Sequence, residues 1–204
     1  MTILSEKPDH AGTRANQLIP GSVWTIPNIV TVARTVVAVL LGVLAAASGD
    51  LWLLGAGYAA YWIGDILDGW SARRLGQETR IGAVLDIVSD RACTAVLFVG
   101  LVAHIPQALP VAAAFLPSFL VLDTMLSLAF LNWQLVSPND FHVVDRLVWQ
   151  LNWSLVAKAA NTAAVVLATA LGAYVLAAAI ALAVGLVKIW SARRVLILLG
   201  RGIR

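Results

Sequence analysis

Four aspartates, Asp65, Asp68, Asp86 and Asp90, fall within one strongly apolar stretch. Asp65 and Asp68 are three residues apart and Asp86 and Asp90 four apart, so each pair shares one face of a helix. A polar segment from Arg73 to Ile81 separates the pairs. Two antiparallel helices joined there would aim all four carboxylates at one small volume. Bare anions crowded in apolar surroundings repel, and some would protonate. Divalent cations remove that repulsion, and an all-oxygen donor set suits hard ions such as Mg2+ or Mn2+. Two such ions ~3.5–4 Å apart form the clamp used in phosphoryl transfer. The competing explanation is structural, with the acids paired to Arg73, Arg74 or Arg91. Carboxylates placed in a membrane span are costly and default to function.

The elements that must position these acids are membrane helices. Hydrophobic residues make up 60% of the 204-residue chain and charged residues 12%, about half the share usual in soluble domains. Apolar runs long enough to span a bilayer recur, and in lipid such runs must be helical to satisfy their own backbone. The expected fold is a single all-α integral membrane domain over residues 1–204. The net charge of +3 sits largely at helix ends, which favours anionic lipid and phosphate partners over nucleic acid. The single cysteine, Cys93, allows no internal disulfide and is expected to pack in an apolar helix.

Six spans are expected, near residues 27–47, 51–72, 82–104, 111–133, 153–171 and 174–190, with a kink at Pro117 and a polar loop from Ser137 to Gln150. Residues 1–21 read as a flexible cytosolic tail, with no signal peptide before the first span. Gln17 to Trp24 carries a weak signal for lying along the membrane surface. The turns after the first, third and fifth spans contain no Lys or Arg. By the positive-inside rule both termini and the four aspartates then face the cytosol of a cell membrane. Trp24, Trp52, Trp70, Trp133, Trp149, Trp153 and Trp190 fall near expected interfaces, as an aromatic belt, while Trp62 is expected to pack.

The stretch Asp65-x2-Asp68-Gly69-x2-Ala72-Arg73-x8-Gly82-x3-Asp86-x3-Asp90 closely resembles the signature of the CDP-alcohol phosphotransferase family, all eight fixed positions being met. The resemblance implies transfer of a phosphatidyl group from CDP-diacylglycerol to a hydroxyl acceptor, with release of CMP, and a homodimer in the membrane. It implies Asp65, Asp68, Asp86 and Asp90 as ligands of two divalent cations and Asp90 as the general base. It places the nucleotide against Gly69, Ala72, Arg73 and Gly82. Close helix packing is the plain alternative for Gly82 and a positive-inside anchor for Arg73.

The first span, Pro27-Asn28-x2-Thr31-x2-Arg34, resembles the entry of the glycerophosphate- and cardiolipin-forming branches, with Asn28 and Thr31 near the nucleotide. A helix cap is the alternative for Asn28. Lys158-x2-Asn161-Thr162 is similar to a further element of those branches, so Lys158 is expected at an acceptor phosphate, with Arg34, Arg91 and Arg146. Snorkelling to the interface is the alternative for Lys158, a plain surface charge for Arg146, and snorkelling is the expectation for Lys188. Where those branches carry a basic-acidic pair, this chain has Leu122-Asp123, keeping the acid without the base. The first-span motif and Lys158 make glycerol 3-phosphate or phosphatidylglycerol the first expected acceptor, with an inositol phosphate or other polyol the alternative. An ion-coupled transporter is the rival of another class, but it would spread acids across the bilayer, whereas these four lie at one end.

Overall fold

The computed structural model describes residues 23–202, all of whose regular structure is helical. The tail expected over 1–21, the start of the surface-lying run at Gln17 and the terminal Arg204 lie outside them. Six long helical stretches follow one another: α1 (Ile26–Ser48), α2 (Leu51–Leu75), α3 (Arg80–His104), α4 (Pro106–Asn132), α5 (Arg146–Ala170) and α6 (Tyr174–Gly202). Helices α1, α4, α5 and most of α6 are long and apolar enough to cross a bilayer. Helices α2 and α3 carry the acids; at 25 residues each they would extend about 37 Å, more than the hydrocarbon thickness.

The ends of α1–α3 follow from local chemistry. Thr25 caps α1 by accepting from the Asn28 amide, and Pro27 sits in the first turn, where no amide partner is lost. Asp50 caps α2 by accepting from the Trp52 amide. Gly76, at φ 61°, closes α2 in the left-handed region, and Thr79 caps α3 by accepting from the Gly82 amide at 3.0 Å. Only four residues therefore separate α2 from α3, fewer than the expected loop, and the acid pairs are held in a tight antiparallel turn.

Close approach in this half depends on missing side chains. A Cβ on Gly42 would lie 2.9 Å from the Val96 side chain, and one on Gly57 2.9 Å from that of Leu97. Ala38, Ala45, Leu54, Cys93 and Leu97 fill the space between α1, α2 and α3. The opposite face of α1, with Ile29, Val32, Val36 and Val43, is exposed as lipid requires.

The other half is less regular. After Pro117, which brings no amide hydrogen, residues Ser118–Asp123 wind as a π-helical turn. A second π-helical turn covers Ala159–Ala163 in α5. The expected polar loop over 137–150 is largely helical: a 3-10 turn covers Pro138–Val143 and α5 starts at Arg146, because Asp145 accepts from the Leu147 and Val148 amides, each at 3.0 Å. Helix α6 runs on well past Trp190, tied by a 2.5 Å hydrogen bond from Arg194 Nε to Asp145 Oδ2.

Phe98, Phe115 and Phe119 stack at 5.2 Å steps between α3 and α4, with Val165, Ala177 and Ala181 beside them. Phe130, Phe141, Val148 and Trp153 form a second core. Trp153 is thus buried there instead of joining an interfacial belt. Trp62, expected to pack, is half exposed and stands edge-on to Tyr58.

Candidate active site

The turn between α2 and α3 brings the four acids together. Single oxygens of Asp65, Asp68 and Asp86 lie within 4.8 Å of one another. Asp68 faces inward with 6% of its side chain exposed, whereas Asp65 and Asp86 are 46% and 42% exposed. Carboxylate oxygens alone, close together and half open, fit a hard divalent cation.

At the centre of these acids is Arg34 of α1. Its Nε donates to Asp68 Oδ2 at 2.8 Å, and its Nη2 donates to Asp86 Oδ1 at 2.5 Å and Asp90 Oδ1 at 3.1 Å, with Asp65 Oδ1 at 3.4 Å. Thr31 Oγ1 donates to the same Asp68 oxygen at 2.7 Å. The guanidinium lies 5.4 Å from the Tyr61 ring. Arg34 was expected among the acceptor contacts. The structure buries it beneath the carboxylates because Thr31 and Arg34 sit one turn apart on the α1 face that meets α2 and α3.

Two cavities flank the acids. The smaller, about 130 Å3, is lined by Asn28, Thr31, Gly69, Ala72, Arg73 and Gly82, with Asp68 and Asp86. The residues expected near the nucleotide are therefore side by side. Thr25, not Asn28, is the cap of α1; Asn28 Nδ2 donates to the Val23 carbonyl at 2.8 Å. A Cβ on Gly82 would come 2.8 Å from Asn28 Oδ1, so close packing already favours glycine there. Gly69 differs, since a Cβ there would meet only the tip of exposed Arg73, at 3.4 Å.

The larger cavity, about 330 Å3, is lined by Asp65, Asp86 and Asp90 on one side and by Arg91, Asp123, Lys158 and Lys188 on the other. Asp86 lines both cavities, Asp68 only the smaller and Asp90 only the larger. Lys158 Nζ donates to Asn139 Oδ1 at 3.0 Å. Arg146 is exposed at the start of α5 and lines neither cavity.

Asp123 is not without its base. Arg91 Nη2 of α3 and Lys188 Nζ of α6 both donate to it, and Arg91 also donates to Thr124 Oγ1 at 3.0 Å and to Ser127 Oγ at 3.2 Å. The Arg91 guanidinium stacks 4.2 Å over the Phe119 ring. Lys188, expected to snorkel, is buried with 4% exposure, since Asp123 and Asn152 on neighbouring helices receive its ammonium. Neither partner is adjacent in sequence, so no motif pointed to them. Gly64, also overlooked, gives room to Arg34: a Cβ there would fall 2.3 Å from Arg34 Cβ. The seven-residue spacing of Gly57 and Gly64 was the legible signal, as a seam of close helix contact.

Among curated proteins the chain is similar to a phosphatidylinositol phosphate synthase of Mycolicibacterium smegmatis, 40% identical over 37% of this chain and 34% of that protein. It is also similar to a CDP-diacylglycerol–inositol 3-phosphatidyltransferase of Candida albicans, 37% identical over 40% of this chain and 35% of that protein. The matched segments thus span about a third of those relatives' length. No solved structure matches significantly. The family profile for CDP-alcohol phosphatidyltransferases matches residues 24–197, which covers α1–α5, most of α6 and the residues lining both cavities. With the intact carboxylate signature gathered at one site, the chain belongs to the CDP-alcohol phosphatidyltransferase family.

Proposed function

We propose that this protein transfers the phosphatidyl group of CDP-diacylglycerol to a hydroxyl of an inositol phosphate, releasing CMP. The observation that carries the reading is the pair of cavities meeting at Asp86. One suits a nucleotide donor and the other, rimmed by basic groups, a phosphorylated acceptor. The names of the two relatives favour inositol over the glycerol phosphate suggested by Pro27–Arg34.

In this reading the cytidine and diphosphate occupy the smaller cavity. Asn28 and Thr31 line one wall, Gly69 and Ala72 leave the α2 face open, and Arg73 pairs with a phosphate. Asp65, Asp68, Asp86 and Asp90 would hold two divalent cations, Mg2+ or Mn2+, which neutralise the diphosphate and the leaving CMP. The acceptor lies in the larger cavity with its phosphate toward Lys158 and Arg91. Asp90, which faces that cavity alone, takes the proton of the attacking hydroxyl. The new O–P bond forms at the β-phosphorus as the bond to CMP breaks. Arg34 and Arg146 have no part in acceptor binding.

All six helices would cross the cell membrane, with both termini and the site on the cytosolic side, where Arg73, Arg74 and Arg80 cluster. The test is CMP release by the purified chain with CDP-diacylglycerol, Mg2+ or Mn2+, and four acceptors: an inositol phosphate, free inositol, glycerol 3-phosphate and phosphatidylglycerol. Turnover is expected with the inositol phosphate. Turnover confined to glycerol 3-phosphate would restore the first-span reading.

A further inference from the structure

Arg34 is in the wrong place to touch either substrate and in the right place to shape the cation site. Only 2% of its side chain is exposed, and it lines neither cavity. Its contacts reach carboxylates on both α2 and α3. Each contact is to one oxygen of the pair: Oδ1 of Asp65, Asp86 and Asp90, and Oδ2 of Asp68. Thr31 reinforces the hold on that same Asp68 oxygen.

We propose that Arg34 is the positioning residue of the cation site: it fastens one oxygen of each carboxylate to the protein and leaves the other turned outward for the ions. The inference rests on the metal-dependent reading above. A guanidinium fits this task because it is planar, presents several fixed donors and keeps its proton. A lysine ammonium would supply the charge without the fork. The arrangement also leaves Arg34 Nη1 buried with no partner. That cost is offset only if the placement of Nε and Nη2 matters. The absence of a side chain at residue 64 is part of the same device, since any Cβ there would displace the Arg34 stem.

The test is Mn2+ binding to the purified full chain in detergent, read from the electron-spin resonance of free Mn2+. Wild type is expected to bind two ions and Asp86→Asn fewer. Arg34→Lys should keep the stoichiometry but weaken binding about tenfold or more, as removal of supporting groups around metal ligands does. Gly64→Ala, which adds one methyl against the Arg34 stem, should shift affinity in the same direction. Thr31→Val should give a smaller shift of the same sign and stands in if either other variant fails to fold. CMP release by Arg34→Lys should recover at saturating Mn2+, with only its half-saturating concentration raised. Unchanged affinity in these variants overturns the assignment, and tighter binding makes Arg34 a competitor of the ions instead. If wild type binds no Mn2+, the metal-dependent reading itself fails.

Discussion

The two halves of the bundle solve opposite problems. Helices α1–α3 are regular and pack through Gly42, Gly57 and Gly64, and their polar groups converge on one buried cation, Arg34. Helices α4–α6 are interrupted by π-helical turns at Ser118–Asp123 and Ala159–Ala163, and their central acid, Asp123, is shared by two cations. The first half gathers negative charge in a cluster that fits a divalent cation. The second has its acid neutralised, by Lys188 of α6 and by Arg91 reaching across from α3, and sets Lys158 beside the larger cavity. On the proposed reading, that difference separates a reaction centre, which must be rigid and fixed in charge, from an acceptor pocket. Irregular helical turns are frequent at such functional sites because they re-aim side chains without ending the helix.

The sharpest way to break this division is to remove the acid that faces the larger cavity alone. Asp90→Asn should lower the rate of CMP release by about 10²–10⁴-fold, with CDP-diacylglycerol binding largely retained. Full activity in that variant would remove Asp90 from the role of base. Next in size is Asp123→Asn, which leaves buried Lys188 and partly buried Arg91 without their shared carboxylate. A loss of about 3 kcal/mol or more is expected, read from thermal unfolding in detergent. A variant as stable as wild type would mean that Asp123 is not the neutralising centre of its half.

Lys158→Ala should act on the acceptor alone. Its ammonium is exposed and held by Asn139, so stability should hold while the acceptor KM rises about tenfold, the worth of one charge-assisted hydrogen bond. A changed KM for the donor would show that the cavities do not divide the substrates. The smallest effect concerns the tie between the α5 entry and α6. Burial raises the Asp145 carboxyl, but hydrogen bonds from Arg194 and from the Val148 and Leu147 amides outweigh it and hold it below its ordinary value. A depressed carboxylate stabilises the fold fully above the unfolded value, about 3.9, and loses that contribution as pH falls through the folded value. Wild type should therefore exceed Arg194→Gln in melting temperature by a constant margin from pH 5 to 8, and the margin should shrink below about pH 4.

The acid-bearing turn was legible because its information is local. Asp65 and Asp68, then Asp86 and Asp90, sit at helical spacing on either side of a break, so backbone periodicity alone puts them together. The start of the first span near Pro27 was legible for the same reason, although its cap is Thr25 and not Asn28. Helix α5 was placed too late, because the polar composition of 137–150 masked the capping role of Asp145. The partners of Asp123 were not legible at all. Leu122 stands where a neighbouring base was expected, and the bases that serve the acid come from residues 91 and 188, distant in sequence.

By itself the sequence determined that this chain lies in lipid as helices and carries a cluster of acids at one end, since hydropathy and spacing are properties of the chain. Only tertiary structure decided what surrounds that cluster. Arg34 could be read as one more phosphate contact until three helices met, because the fate of a buried charge depends on which opposite charges reach it, and that is a property of packing.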